Sequence, residues 1–157
     1  MKPTFKVAGR WMYLFRAVDS HGDTVDFYLS ETRDREAAKT FLQKALSNPD
    51  NRKPHLLCMD GCRIYPAALR DLRAEGQLSQ GCRRRTKRYA NNRIESDHRH
   101  IKRKLRAMQG PRSMRTARRA IQGIEAVQML RKGQLLGSQR SNPATISLAF
   151  ALLLKIA

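Results

Sequence analysis

Acidic residues are scarce in this chain: 13 Asp and Glu stand against 32 Lys and Arg among 157 residues, a formal charge of +19. So few carboxylates exclude a surface of balanced ion pairs, and a polyanionic partner would relieve the self-repulsion of the compact state. Nucleic acid is the natural polyanion, because neutralised phosphates release counterions and supply sequence-independent affinity. Charge alone leaves a membrane surface or a ribosome open as well. Cysteine is nearly as sparse. Cys58, Cys62 and Cys82 form no CxxC pair and no recognisable set with the four histidines, which argues against zinc. An odd count, with no charged-then-apolar leader at the start, suits reduced thiols in a cytoplasm. Long apolar runs are missing too. The run from Ile146 to Ala157 is interrupted by Lys155 and falls well short of the ~20 residues a spanning helix needs. It reads as a terminal packing or partner helix in preference to a membrane contact. Hydrophobic residues still make up 41% of the chain, enough for one domain with a core.

The first third reads as strands. TFKV, WMYLFRAVD and TVDFYLS are rich in β-branched and aromatic residues, separated by Ala8-Gly9 and by Ser20-His21-Gly22-Asp23, both hairpin-grade turns. Asp34 is placed to cap a helix over REAAKTFLQKALS, whose apolar side carries Ala37, Ala38, Phe41, Leu42, Ala45 and Leu46. Asn48-Pro49-Asp50 ends it. HLLCM fits a short buried strand that delivers the chain to Asp60-Gly61. A helix from about Tyr65 to Glu75 follows, with Pro66 in its first turn and Gly76 closing it. CRRRTKR, residues 82–88, fits an exposed edge strand or a basic loop. Two helices complete the pattern, one through RYANNRIESDHRHIKRKLRAM and, after Gly110-Pro111, one from Ser113 to about Lys132. Three antiparallel strands, helix, strand, helix, edge strand and two helices predict an α/β layer fold with a central sheet flanked by helices.

On the penultimate helix, Ile94, Ile101, Leu105 and Met108 form a narrow stripe at 100° per residue. Glu95, Arg99, Lys102 and Arg106 share the face beside it, so the carboxylate sits at the edge of the buried surface. Glu95 and Arg99 also make an ordinary i, i+4 pair. Asp60 adds a second acid at the C-terminal end of an apolar strand, where ligands gather in open α/β sheets, although an aspartate before glycine is also a common turn. Two converging acids in a basic surface can hold Mg²⁺, which takes carboxylates plus phosphate oxygens. Such ions activate a water or a 3′-hydroxyl and stabilise the leaving oxygen of an in-line phosphoryl transfer. Lys102 would then contact DNA backbone nearby.

The element order, an Asp after the fourth strand, a Glu 35 positions later and a Lys seven beyond it resemble the ribonuclease H-like core of DDE transposases and integrases. The wording resembles bacterial insertion-sequence transposases of the IS-six family more closely still. GRWMYLFRAVDSHGDTVDFYLS, TRDREAAKTFLQKAL, MDGCRIYPAALRDL, KRYANNRIESDHRHIKR and MRTARRAIQGIEAVQMLRKGQ carry the likeness across approximately residues 4–134. The resemblance implies a mixed central sheet and Mg²⁺ (or Mn²⁺) held by Asp60 and Glu95, which would be the second and third catalytic acids. It implies DNA contacts by Lys102, Arg99, Arg103 and Arg106. It implies double-stranded DNA, as transposon ends and target, for partner, no membrane, and a bacterial, nucleoid-associated cytoplasmic location; a homodimer is left open.

One departure matters. Counting back through FKVAGRW puts Met1 where the family's first acid stands, and the helical DNA-binding region usually found before it has no counterpart here. Asp19 is the reserve candidate. The expectation is a core over 1–134 lacking its N-terminal part, then a loop and apolar tail over 135–157, with cleavage impaired. The alternatives are a non-catalytic DNA-binding remnant and a basic RNA-binding or ribosome-associated protein. Trp11, Tyr13, Phe15, Phe27 and Tyr28 are expected in sheet core and surface packing, and His55, His98 and His100 at the surface or facing DNA. Phosphate contact is expected for RRRTKR, and core packing for Met114, Ala117, Ile121, Ile124 and Met129.

Overall fold

The computed structural model describes residues 5–49, 51–86, 92–107 and 110–134, with 92–98 and 100 described by backbone only. Met1, Asp50, residues 87–91, Met108 and the tail 135–157 lie outside the described residues, as do the side chains of Ile94, Glu95, His98 and His100.

Strands β1 (Phe5–Val7), β2 (Arg10–Val18) and β3 (Thr24–Ser30) form an antiparallel sheet in the order β1-β2-β3. Val7 pairs with Arg10, leaving Ala8 and Gly9 as a two-residue loop, both with positive φ (47° and 80°). That shape matches the right-handed twist of the strands but strains the alanine. Ala8→Asn, a residue that tolerates this region, should raise stability by about 0.5–1 kcal/mol in urea unfolding.

Alternation along β2 feeds two cores. Phe15 points to one face, where it meets Tyr28 and Phe41 at ring-centroid distances of 6.3 and 5.7 Å. Helices α1 (Arg35–Ser47) and α2 (Ile64–Ala74) cover this face with Ala38, Phe41, Leu69 and Leu72. Asp34 caps α1 as expected, accepting from the Ala37 N–H at 2.8 Å. That bond first, and the Thr32 side chain second, hold its carboxyl below the ordinary range. Met12 and Leu14 point the other way, with Val7 and Leu29, against Ile101 and Leu105 of α3 (Asn92–Ala107) and Ala117, Ile121 and Ile124 of α4 (Met114–Lys132). Ser113 caps α4 by accepting from the Thr116 N–H, and Gly133 ends it in the left-handed conformation at φ 70°. The result is a sheet with a helix pair on each face.

Strands β4 (Leu56–Cys58) and β5 (Arg83–Arg85) form a separate parallel ladder, and among the described residues none joins it to β1. The chain is thus mixed α/β, with antiparallel and parallel ladders. One expectation needs correcting. HLLCM is a strand but not a buried one: Leu56 is 45% exposed and Cys58 is exposed, because only Leu57 and Met59 face the α1/α2 core. Trp11, of the set expected in sheet core and surface packing, is at the surface: it is 53% exposed, with the Lys6 ammonium 5.1 Å from its ring centroid. Tyr13, Phe27 and Tyr28 are half-buried against the two cores, and Phe15 is fully enclosed. Among the described residues no helix is long and apolar enough to cross a membrane.

Candidate functional site

Asp60 follows β4 directly and lies where the chain turns into α2. Its Oδ1 accepts from the Cys62 N–H at 3.3 Å, which orients the carboxylate, and its Oδ2 lies 3.4 Å from the Arg33 guanidinium. Both side chains keep part of their surface in water, 29% for Asp60 and 24% for Arg33. Gly61 leaves open space beside them: a Cβ added there would meet nothing within 4 Å. Below lies Tyr65, whose hydroxyl is held protonated. Burial pushes its pKa up, the Asp60 charge adds to the shift, and Arg33 opposes it.

Glu95 lies on α3, and its side chain is among those outside the description. The same helix turns Ile101 and Leu105 into the core and leaves Lys102 half-buried beside them, with Arg99, Arg103 and Arg106 exposed. Lys104 is half-buried toward α4, and its pKa is depressed, first by that burial and then by Arg131 and Arg103. Like charges crowded together favour a polyanion from outside. Asp19, the reserve acid, is engaged in its own turn, accepting from the N–H groups of His21 (2.9 Å) and Asp23 (2.8 Å).

Among the described residues no three His, Cys, Asp or Glu side chains gather as a closed metal cage. What is present suits a hard divalent cation of the Mg²⁺ kind. Asp60 offers oxygen donors with partial access to water, and Mg²⁺ is typically held by one or two carboxylates plus waters and phosphate oxygens.

Two buried charges escape a reading of the apolar residues alone. Arg16 and Glu125 are only 5% and 2% exposed, and they meet across the α3/α4 core. Arg16 Nη2 donates to Glu125 Oε2 at 2.9 Å, and Nε lies 2.7 Å from Oε1. Thr24 Oγ1 adds a 3.4 Å bond to the same carboxylate. The signal was present in the spacing: Arg16 is two residues after Leu14 on the strand, and Glu125 four after Ile121 on the helix. Each therefore occupies a core-facing position.

A family model described as a DDE domain matches residues 3–134, which takes in the elements bearing Asp60, Glu95 and Lys102. The chain belongs to the DDE transposases of the IS-six insertion-sequence family. It is 35% identical over 128 residues to a transposase for insertion sequence-like element IS431mec of Staphylococcus aureus, covering 81% of this chain and 54% of that protein. The figures are the same for a Staphylococcus aureus transposase for insertion sequence element IS257 in transposon Tn4003. An uncharacterized protein of Yersinia pseudotuberculosis is 35% identical over 79 residues, 50% of this chain and 74% of its own length. The DDE chain described here spans about half the length of the transposases it matches. No solved structure matches it.

Proposed function

We propose that residues 1–134 form the ribonuclease H-like core of an insertion-sequence transposase, with 135–157 as a loop and apolar tail. Asp60 and Glu95 hold Mg²⁺ or Mn²⁺, and Lys102, Arg99, Arg103 and Arg106 grip the phosphates of double-stranded DNA. The observation that carries this reading is the Asp60 carboxylate: oriented by the Cys62 N–H, partly open to solvent beside Gly61, and inside a stretch matched by the DDE family model. When bound, the ion activates the attacking oxygen and stabilises the leaving one in an in-line phosphoryl transfer. The chain's own residues supply the rest. Arg33 shields the Asp60 charge until the site is filled, and the α3 cations hold the DNA strand against it.

The family pattern uses three acids, and these 157 residues offer two of them at matching positions. A polypeptide of these residues alone therefore binds DNA and cleaves it poorly or not at all. The crowding of Lys104, Arg103 and Arg131 also supports a second reading, a DNA-binding chain with no chemistry of its own. The deciding assay is nicking of supercoiled plasmid with Mg²⁺ or Mn²⁺. This polypeptide should leave the plasmid closed, and a version extended by a strand ending in aspartate at the first-acid position should nick it. Efficient metal-dependent nicking by the 157 residues, abolished by Glu95→Ala, would overturn the impairment. No nicking by the extended version would leave the non-catalytic reading standing.

A further inference from the structure

We infer that the open face of the β4–β5 ladder is a track for a DNA strand, leading its phosphates to Asp60. This deepens the DNA-handling function proposed above and rests on it. The register pairs Leu56 with Arg83 and Cys58 with Arg85, so these four side chains share one face of the two strands, and all four are exposed. The opposite face packs into the core that α2 closes through Leu57, Met59 and Cys82, and only Arg84 on that face is exposed. Arg83 and Arg85 stand two residues apart on an extended strand, roughly 6.6 Å, comparable to the separation of successive phosphates along one nucleic-acid strand. Leu56 and Cys58 beside them offer a neutral surface for sugars. Arg52 and Lys53, both exposed, extend the cations along the chain entering β4.

Direction comes from the backbone. The Met59 N–H donates to the Arg85 carbonyl at 3.0 Å, so the arginine strand ends beside the residue that precedes Asp60. No acid occurs in 51–59 or 81–86 to neutralise these charges from within either segment. Exposed arginines of this density, with no ion pair to a carboxylate among the described residues and on a strand that ends beside Met59, match a polyanionic strand rather than an apolar or acidic-patterned protein surface.

The test is the salt dependence of duplex DNA binding by the 157-residue chain, measured in EDTA so that no metal contributes. Each phosphate that is no longer neutralised should lower the slope of log K against log salt by about 0.9, so Arg83→Gln with Arg85→Gln should lower it by about 2. Arg70→Gln, an exposed charge on α2, should leave the slope unchanged. Phenylglyoxal should modify Arg83 and Arg85 several-fold more slowly when DNA is bound to the unmodified chain; this readout decides the matter if the double variant does not fold. An unchanged slope in the folded double variant, an equal drop with Arg70→Gln, or no protection by DNA overturns the track. So does tight binding of structured RNA with duplex DNA ignored, or loss of a self-associated species in the double variant, which would assign the face to a second copy. If the slope falls as expected while Asp60→Asn leaves metal binding intact, the track stands and only the assignment of the metal to Asp60 fails.

Discussion

Glu125→Ala should destabilise the chain by about 3–5 kcal/mol, since it leaves the Arg16 guanidinium buried in an apolar core without its carboxylate. For a chain of this size that corresponds to a fall of roughly 6–20 °C in Tm. The cost is that of stranding a charge and does not measure what the pair contributes. Removing both, as Arg16→Met with Glu125→Leu, should therefore recover most of the loss, because two buried ions must be desolvated and a well-packed apolar pair need not be. Urea unfolding of the two single variants and the double gives the coupling directly. A Glu125→Ala variant within about 1 kcal/mol of the parent would show that the carboxylate is not closed off from water as its 2% exposure indicates. The position matters beyond stability, because this contact ties the middle of β2 to α4.

The second large effect is at the proposed metal site. In a polypeptide that carries the first acid, Asp60→Asn or Glu95→Gln should lower metal-dependent nicking on the order of 10³-fold, about 4 kcal/mol of transition-state stabilisation. In the 157-residue chain the same substitutions should weaken Mn²⁺ binding measured by calorimetry, a readout independent of turnover. Arg33→Gln should do the opposite. Its guanidinium lies 3.4 Å from Oδ2 and competes with a cation for that oxygen, so removing it should tighten Mn²⁺ binding by about 2–5-fold, the modest scale of a partly solvated pair. Weaker binding in Arg33→Gln would make that arginine a structural support and sink the idea of a placeholder cation. Full nicking by Asp60→Asn would remove Asp60 from the site.

Features set by neighbouring residues are legible in the sequence itself. The two-residue loop at Ala8-Gly9, the Asp34 and Ser113 caps and the Ile101/Leu105 stripe depend on spacing within a turn or two, and each is where the pattern places it. Features set by distant partners are not. Arg16 and Glu125 are 109 residues apart, and a charge at a core-facing position reads locally as an error in the pattern. Arg33 reaches Asp60 across 27 residues, and nothing near Arg33 marks it as part of the site. HLLCM misleads for a related reason: apolar character makes a strand, but whether its second face is covered depends on what packs there. The positions of Asp60 after β4 and of the cations along α3 are legible as well. How the Glu95 carboxylate stands toward Asp60 is a question of distance, which spacing along a chain does not fix.

The exposure of Trp11 has a practical consequence for all of these measurements. It is the sole tryptophan, more than half of it is already in water, and a lysine ammonium lies over its ring. Its fluorescence in the native chain should therefore emit at nearly the wavelength of the denatured one. The position of tryptophan emission would report little of the unfolding of either core, and the stability variants are better followed by backbone circular dichroism.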